Sequence, residues 1–212
     1  MLPYDGLMRP GDEHYFSSTT EAQSDPKKVD VLLPDVDLTL WSDAGVFSHG
    51  RLDGATRIFL ETAPPPPQTG ALLDLGCGYG AIALTLAARS PAAQVIAVDV
   101  NERALDLVRQ NAEEHGFSNV TAYRPAEVPA DLRFAAIYSN PPVRIGKRAM
   151  REMLQQWLGR LDPDGVAYIV VGKHLGSDSL AQWLDAEGYD VQRIASRNSY
   201  RTLEVKHRRD AS

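Results

Sequence analysis

Ala71-Leu72-Leu73-Asp74-Leu75-Gly76-Cys77-Gly78-Tyr79-Gly80-Ala81 is the stretch whose reading decides the fold. Its first five residues are a mostly apolar run of strand length, as a buried strand requires. Gly76, Gly78 and Gly80 then break the run. Glycine permits a tight turn and lets a ligand approach the backbone closely. From Ala81 to Ala88 the chain is rich in Ala and Leu and reads as a helix. A second strand, Gln94-Val95-Ile96-Ala97-Val98-Asp99, ends in an acidic residue about 20 residues beyond the loop. A carboxylate there can accept hydrogen bonds from ribose hydroxyls.

Downstream the alternation of strand and helix continues. Asn101 caps a helix that carries Leu105, Val108 and Ala112 on one face and is closed by Gly116. Val120 to Tyr123 is the third strand and Phe134 to Tyr138 the fourth. Met150, Met153, Leu154, Trp157 and Leu158 mark the inner face of the next helix, and Val166 to Val171 the fifth strand. Leu180, Trp183 and Leu184 lie on the last helix, stopped by Gly188; Val191 to Ala195 and Tyr200 to Val205 are two final strands.

Upstream, Val29 to Leu33 and Val36 to Trp41 alternate apolar and polar residues across Pro34-Asp35, a hairpin pattern. Asp53 is an N-cap for a helix that the run of prolines Pro64 to Pro67 brings to an end. The expected fold is α/β: a doubly wound, mainly parallel seven-stranded sheet with an N-terminal β-hairpin extension. Residues 1–27 form a polar, partly ordered segment from which His14-Tyr15-Phe16 could dock. Residues 28–62 form the hairpin and helix, and residues 63–212 the cofactor-binding domain.

Composition sets outer limits. The chain has 212 residues, 43% hydrophobic and 24% charged, values ordinary for a soluble globular domain. No apolar run is long enough to span a membrane, so no membrane partner is expected. Cys77 is the single cysteine, which excludes an internal disulfide and a cysteine-based zinc cluster; no metal is expected, and the location expected is cytoplasmic. The net charge of −6 argues against a surface basic all over, yet leaves room for a local basic patch.

The second informative stretch is Ser139-Asn140-Pro141-Pro142, at the end of the fourth strand. Two prolines stop a strand, and the residue before a proline is driven to extended geometry. Asn140 is thereby held in a stiff corner, where its amide and nearby carbonyls can grip the N–H groups of a planar amine. A plain proline turn is the other reading of these four residues alone. Gly76-x-Gly78-x-x-Ala81 loosely fits a dinucleotide fingerprint, but Asp74 would face a diphosphate unfavourably. It suits a ligand bearing an ammonium and a sulfonium, as S-adenosylmethionine does. No partner motif for hydride transfer stands out.

Taken together, these motifs resemble the class I S-adenosylmethionine-dependent methyltransferases over residues 42–207. Asp74 to Gly80 is similar to the family's first motif, Asp99 to its ribose-binding acid, and Ser139 to Pro142 to its catalytic motif. Gly45-Val46-Phe47-Ser48 and Asn140-Pro141-Pro142-Val143-Arg144 resemble the small-domain branch, which includes enzymes that modify the guanine exocyclic amine of small-subunit ribosomal RNA. The resemblance implies a Rossmann-like methyltransferase fold and S-adenosyl-L-methionine as cofactor. It implies cofactor contacts from Asp74, Gly76, Cys77, Gly78, Gly80, Asp99, Val100, Asn140 and Phe47; packing under the hairpin is the other reading of Phe47.

The catalytic residues implied are Asn140, Pro141 and Pro142. The Asn140 side-chain oxygen and the Pro141 carbonyl would accept the two N–H bonds of the amine and aim its lone pair. Val143 stands where many such enzymes carry an aromatic residue, and no stacking role is assigned to it. Val143, Arg144, Lys147, Arg148, Arg151 and Lys173 are the candidate substrate contacts, the cations serving phosphates. A solvated helix start is the competing reading of the first three cations and Arg151. Arg193, Arg197 and Arg201 are exposed strand residues or an extension of that surface, and His174 a polar rim residue. The partner expected is RNA, as ribosomal RNA or a small-subunit particle, with no DNA. The competing readings are methylation of a protein glutamine amide and cofactor-dependent RNA interaction without turnover.

Overall fold

A computed structural model describes residues 22–208. The expected docking of His14-Tyr15-Phe16 lies outside the described residues. The chain opens with a hairpin, β1 (Lys27–Leu32) and β2 (Asp37–Ser42), closed by Leu33 N donating to Val36 O at 2.8 Å. The alternation does what period two requires: Val29, Val31, Leu38 and Leu40 are buried on one face, while their neighbours face outward. Helix α1 (Gly54–Thr62) follows, with Asp53 accepting from Thr56 N as its N-cap.

Next come β3 (Ala71–Leu75), α2 (Ala81–Arg89), β4 (Gln94–Val98), α3 (Glu102–Glu114), β5 (Val120–Tyr123) and β6 (Phe134–Ser139). Helix α4 (Lys147–Leu158), β7 (Leu161–Gly172), α5 (Ser177–Ala186), β8 (Tyr189–Arg197) and β9 (Tyr200–His207) complete the domain. The strands form one seven-stranded sheet in the order β5-β4-β3-β6-β7-β9-β8, with β5 to β7 parallel and β9 and β8 antiparallel. This is the doubly wound, Rossmann-like sheet with its two-stranded extension.

Successive residues of each central strand point to opposite faces, so both faces must be covered. Leu72, Val95, Ala136 and Tyr138 pack beneath α1, α2, α3 and the hairpin. Leu73, Ile96, Ile137 and Ile169 pack beneath α4 and α5 through Met150, Leu154, Trp157, Leu180 and Leu184. Each such fully buried large side chain contributes roughly 1.5–3 kcal/mol, so two-sided burial is what orders the sheet. The hairpin is tied on by a polar stitch. Asn111 of α3, fully buried, accepts from Trp41 N at 2.7 Å and donates to the carbonyls of Trp41 and Tyr79.

The boundary that differs most from the sequence pattern is that of the fifth strand, expected from Val166; β1, β8 and β9 differ by two residues or fewer at either end. Strand β7 begins at Leu161, where Leu161 pairs with Phe134 before a register shift. Gly165 allows it: a Cβ there would lie 2.8 Å from the Phe134 carbonyl oxygen, closer than any side chain tolerates.

Candidate functional site

The register of three adjacent strands assembles the site. Leu75 pairs with Val98 on one side and with Ser139 on the other. The glycine loop, Asp99 and Asn140 therefore leave the same edge of the sheet side by side. Open α/β sheets bind their ligands in the crevice at this edge, where the strand order reverses.

Gly76, Gly78 and Gly80 all have positive φ, at 78°, 53° and 96°. A Cβ at Gly80 would also meet Leu84 and Val108 at 3.1 Å, so this glycine serves the close packing of α2 on α3. The backbone N–H groups of Gly76 and Cys77 both donate to Val98 O, at 2.8 and 3.0 Å. Asp99 locks the turn from the far side, accepting from Gly78 N and Asn101 N at 3.0 Å each. Burial pushes the Asp99 carboxyl above its ordinary range, against those backbone donors. Val100, beside it, is half-buried.

Asp74 sits beneath the loop, fully buried, and accepts from Ala83 N at 2.9 Å while its other oxygen has no partner. Burial first, and the Asp99 charge second, push its carboxyl up to about 8. Its position is one layer behind the loop backbone rather than on the cleft wall. The Cys77 thiol is buried as well, and burial raises it far above the usual thiol range.

The cleft is lined by Phe47, Ser48, Asp53, Thr56, the loop from Gly76 to Tyr79, Ala81, Ile82 and Asn140. Phe47 is 61% exposed at the lip of this cleft, which corrects the reading that packs it under the hairpin. Its loop is fastened from below: Asn101 Nδ2 donates to Gly45 O at 2.8 Å, and Arg103 donates to Ala44 O at 2.6 Å. At the opposite wall, Ser139 Oγ donates to Leu75 O at 2.8 Å and ties the two strand ends together. Pro141 is buried, Pro142 half-buried, and the Pro142 carbonyl accepts from Ile145 N to close a short turn over Val143–Ile145. Asn140 Nδ2 donates to Asp53 Oδ2 and to Thr56 Oγ1, at 3.0 Å each.

Arg144, Lys147, Arg148 and Lys173 are all exposed. Lys147 Cε lies 3.9 Å from where a Cβ on Gly176 would be, so the start of α4 meets the turn Lys173–Leu175 after β7. Arg151 does not join them: its guanidinium lies 5.2 Å from the Trp183 ring centroid and donates to Ser179 O. Arg201 is also no surface cation. It is 9% exposed and bonded to Ser177 and Asp178, because β9 lies between β7 and β8 and its side chain turns toward α5. Arg197 pairs with Glu61 at 2.7 Å, and His174 is exposed on the rim.

Sequence reasoning took Asp53 only as a helix cap and passed over Thr56, Tyr79 and Ile82. The signal for Asp53 and Thr56 was their place just after Gly45 to Ser48, but their partner Asn140 lies more than eighty positions away. Among the described residues lining the cleft, Asp53 is the sole charged side chain. A wall with a carboxylate and no cation fits a sulfonium or ammonium ligand and disfavours a diphosphate. Among the described residues, no helix is long and apolar enough to cross a membrane.

Known proteins fit this geometry. The family described as "Methyltransferase small domain" matches residues 37–204. The chain is 32% identical over 197 residues to a Bacillus subtilis (strain 168) protein named "Uncharacterized protein YbxB", covering 92% of this chain and 98% of that protein. It is 30% identical over 181 residues to "Ribosomal RNA small subunit methyltransferase C" of Shewanella amazonensis, covering 83% of this chain and 51% of the relative. The chain thus spans about half the length of that relative. Among solved structures, the Thermus thermophilus "16S rRNA N2 G1207 methyltransferase (RsmC) in complex with AdoMet and Guanosine" superposes with a TM-score of 0.71 at 23% identity, over 86% of this chain and 51% of that one. With the glycine loop, Asp99 and the Asn140 corner at one sheet edge, the chain belongs to the methyltransferase small domain family and is a class I S-adenosylmethionine-dependent methyltransferase.

Proposed function

We propose that this enzyme methylates the exocyclic amine of a guanine in small-subunit ribosomal RNA. The observation that carries the reading is a shared sheet edge: Asn140 ends β6 and is followed in the chain by exposed Arg144, Lys147 and Arg148, and exposed Lys173 follows β7, the parallel neighbour of β6. An amine acceptor needs hydrogen-bond acceptors to hold its N–H groups, and an RNA acceptor needs cations for its phosphates. In a chain of net charge −6, that local concentration of positive charge favours RNA over a neutral peptide. The relative named ribosomal RNA small subunit methyltransferase C and the RsmC fold support the same acceptor class.

When bound, S-adenosylmethionine supplies an electrophilic methyl group on a cationic sulfur. The residues proposed to hold it are Gly76, Cys77 and Gly78 through their backbone, Asp99 and Val100 at the ribose, Phe47 at the lip, and Asp74 from below the loop, where it accepts from Ala83 N and fixes the start of α2. The Asn140 oxygen and the Pro141 carbonyl accept the N–H bonds of the guanine amine and aim its lone pair. Holding reactants in line contributes several kcal/mol in well-oriented systems, about 7–11 at the limit. Acceptors facing the amine also stabilise the positive charge that develops on nitrogen. The amine becomes acidic only as it is methylated, so no strong base has to act first.

The test is methyl transfer from labelled cofactor to three acceptors: deproteinised small-subunit RNA, assembled small subunits, and a protein lysate. Label in guanine N2 after nuclease digestion is the expected outcome. Label in glutamine side chains would replace this reading with the protein-amide one. Cofactor binding without transfer to any acceptor would leave an RNA-interaction role.

A further inference from the structure

The Asn140 amide sits in a two-point socket that holds its nitrogen, and the socket fixes which end of the amide is left free. We infer that Asp53 and Thr56 are positioning residues that hold the Asn140 oxygen toward the acceptor, so that the site takes a group bringing an N–H donor. The inference rests on the reading that Asn140 grips the acceptor amine.

The terminal torsion of an asparagine side chain is broad, and a half-turn exchanges its oxygen for its nitrogen. Neighbours must therefore choose the orientation. A carboxylate has no hydrogen to give, so the Asp53 oxygen can face only the amide nitrogen. That contact is 3.0 Å. The Thr56 hydroxyl lies 3.5 Å from the same carboxylate oxygen, which takes the hydroxyl hydrogen and leaves the Thr56 lone pairs for the second Nδ2 hydrogen at 3.0 Å. Both amide hydrogens are then used, and Asn140 can only accept.

The socket is itself rigid. Thr56 N donates to the same Asp53 oxygen as the cap of α1. Helix α1 is anchored by Phe59, fully buried, whose ring lies 6.0 Å from that of Tyr138, two residues before Asn140 on β6. One helix and one strand thus set both halves of the contact. A guanine amine presents the donors that this oxygen requires; a ring nitrogen offering only a lone pair does not.

The variants separate capping from positioning. Asp53→Ser keeps a preferred cap residue but is too short to reach Asn140, whereas Asp53→Asn keeps an acceptor oxygen at full reach. Single-turnover transfer to deproteinised small-subunit RNA is expected to fall roughly 10–100-fold in Asp53→Ser, the range for losing a preorganised polar group. The melting temperature should stay close to wild type. Cofactor affinity by calorimetry should fall alike in Asp53→Ser and Asp53→Asn, which both remove the carboxylate charge that lines the cleft, and at saturating cofactor Asp53→Asn should recover most of the rate. In an Asn140→Ala background the Asp53→Ser change should have no further effect, the non-additivity expected of coupled groups.

A second readout needs no acceptor. The Asn140 side-chain amide protons, assigned by their loss in Asn140→Ala, should exchange slowly with solvent in wild type and fast in Asp53→Ser and Thr56→Val. A wild-type rate for Asp53→Ser, an undiminished effect in the Asn140→Ala background, or rapid exchange in the wild-type protein would each overturn the inference. Full activity of Asn140→Ala would instead remove the reading beneath it.

Discussion

Between Leu75 and Gly80 the cleft is walled by backbone; beyond Asn140, outside the cleft lining, the chain presents a second wall of exposed side chains drawn from several elements. The first wall folds on itself: its glycine turns and strand-end bonds join residues of one βαβ unit. It is dry enough that a carboxylate just behind it is pushed up to about 8. The second wall is exposed and cationic beyond the cleft, and where it meets the cleft the contact between Asp53 and Asn140 joins two elements far apart in sequence. A cofactor shared by many enzymes is met by a fixed local motif, while the acceptor is met by a surface that long-range packing has to assemble.

The largest expected effect tests how dry the first wall is. A folded-state carboxyl raised from 3.8 to about 8 binds more protons than the unfolded chain between those values. The stability of the ligand-free protein should therefore fall as pH rises through roughly 4 to 8, by up to about 1.4 kcal/mol per pH unit, and level off above. Urea melts of wild type and Asp74→Asn across that range isolate the contribution. Parallel curves would mean that Asp74 is solvated, and the contrast between the two walls would weaken.

The next pair of substitutions should separate the walls by function. Asn140→Ala is expected to lower single-turnover transfer on the order of 100-fold or more, with little change in cofactor affinity. Asp99→Ala is expected to weaken cofactor binding by roughly 1–3 kcal/mol, as unpaired donors do. Calorimetry alongside rapid quench distinguishes them. If both variants shift the same parameter, the two walls form one site.

The same contrast explains what could be read in the sequence. The strands, the helices and the glycine loop follow from hydrophobic period and turn chemistry, both short-range features. Asp53 was legible as a cap because capping spans three residues, yet its bond to Asn140 depends on where α1 lands against β6. Arg151 and Arg201 show the limit most clearly. With Lys147 four and Arg148 three positions before it on the helix, Arg151 looks like part of one basic face, but α5 takes its guanidinium through Trp183 and Ser179 O. Arg201 lies on a strand flanked by partners on both sides, a placement that strand order decides and local pattern does not.

On the acceptor wall, replacing Arg144, Lys147 and Arg148 by alanine should weaken RNA binding and flatten its salt dependence. Each lost phosphate contact should lower the slope of log affinity against log salt by about 0.7–0.9. Fluorescence anisotropy with a ribosomal RNA fragment at several salt concentrations measures the slope. Cofactor affinity should hold, because none of the three lines the glycine-loop cleft. An unchanged slope would move the RNA contact elsewhere.

The smallest effect sharpens the boundary of that surface. Arg151 and Arg148 lie on adjacent turns of α4, but Arg148 meets solvent and Glu152 at 3.5 Å, whereas Arg151 lies on Trp183. Arg151→Ala should therefore lower stability by about 0.5–1 kcal/mol, the scale of a partly exposed cation–π contact, and leave the salt slope of RNA binding as in wild type. Arg148→Ala should do the reverse, since exposed ion pairs of this kind contribute about 0.3–0.5 kcal/mol at most. Thermal melts and anisotropy on the two single variants decide the matter. A fall in salt slope for Arg151→Ala would bring this arginine back to the RNA surface and make its place on Trp183 a resting position that the substrate displaces.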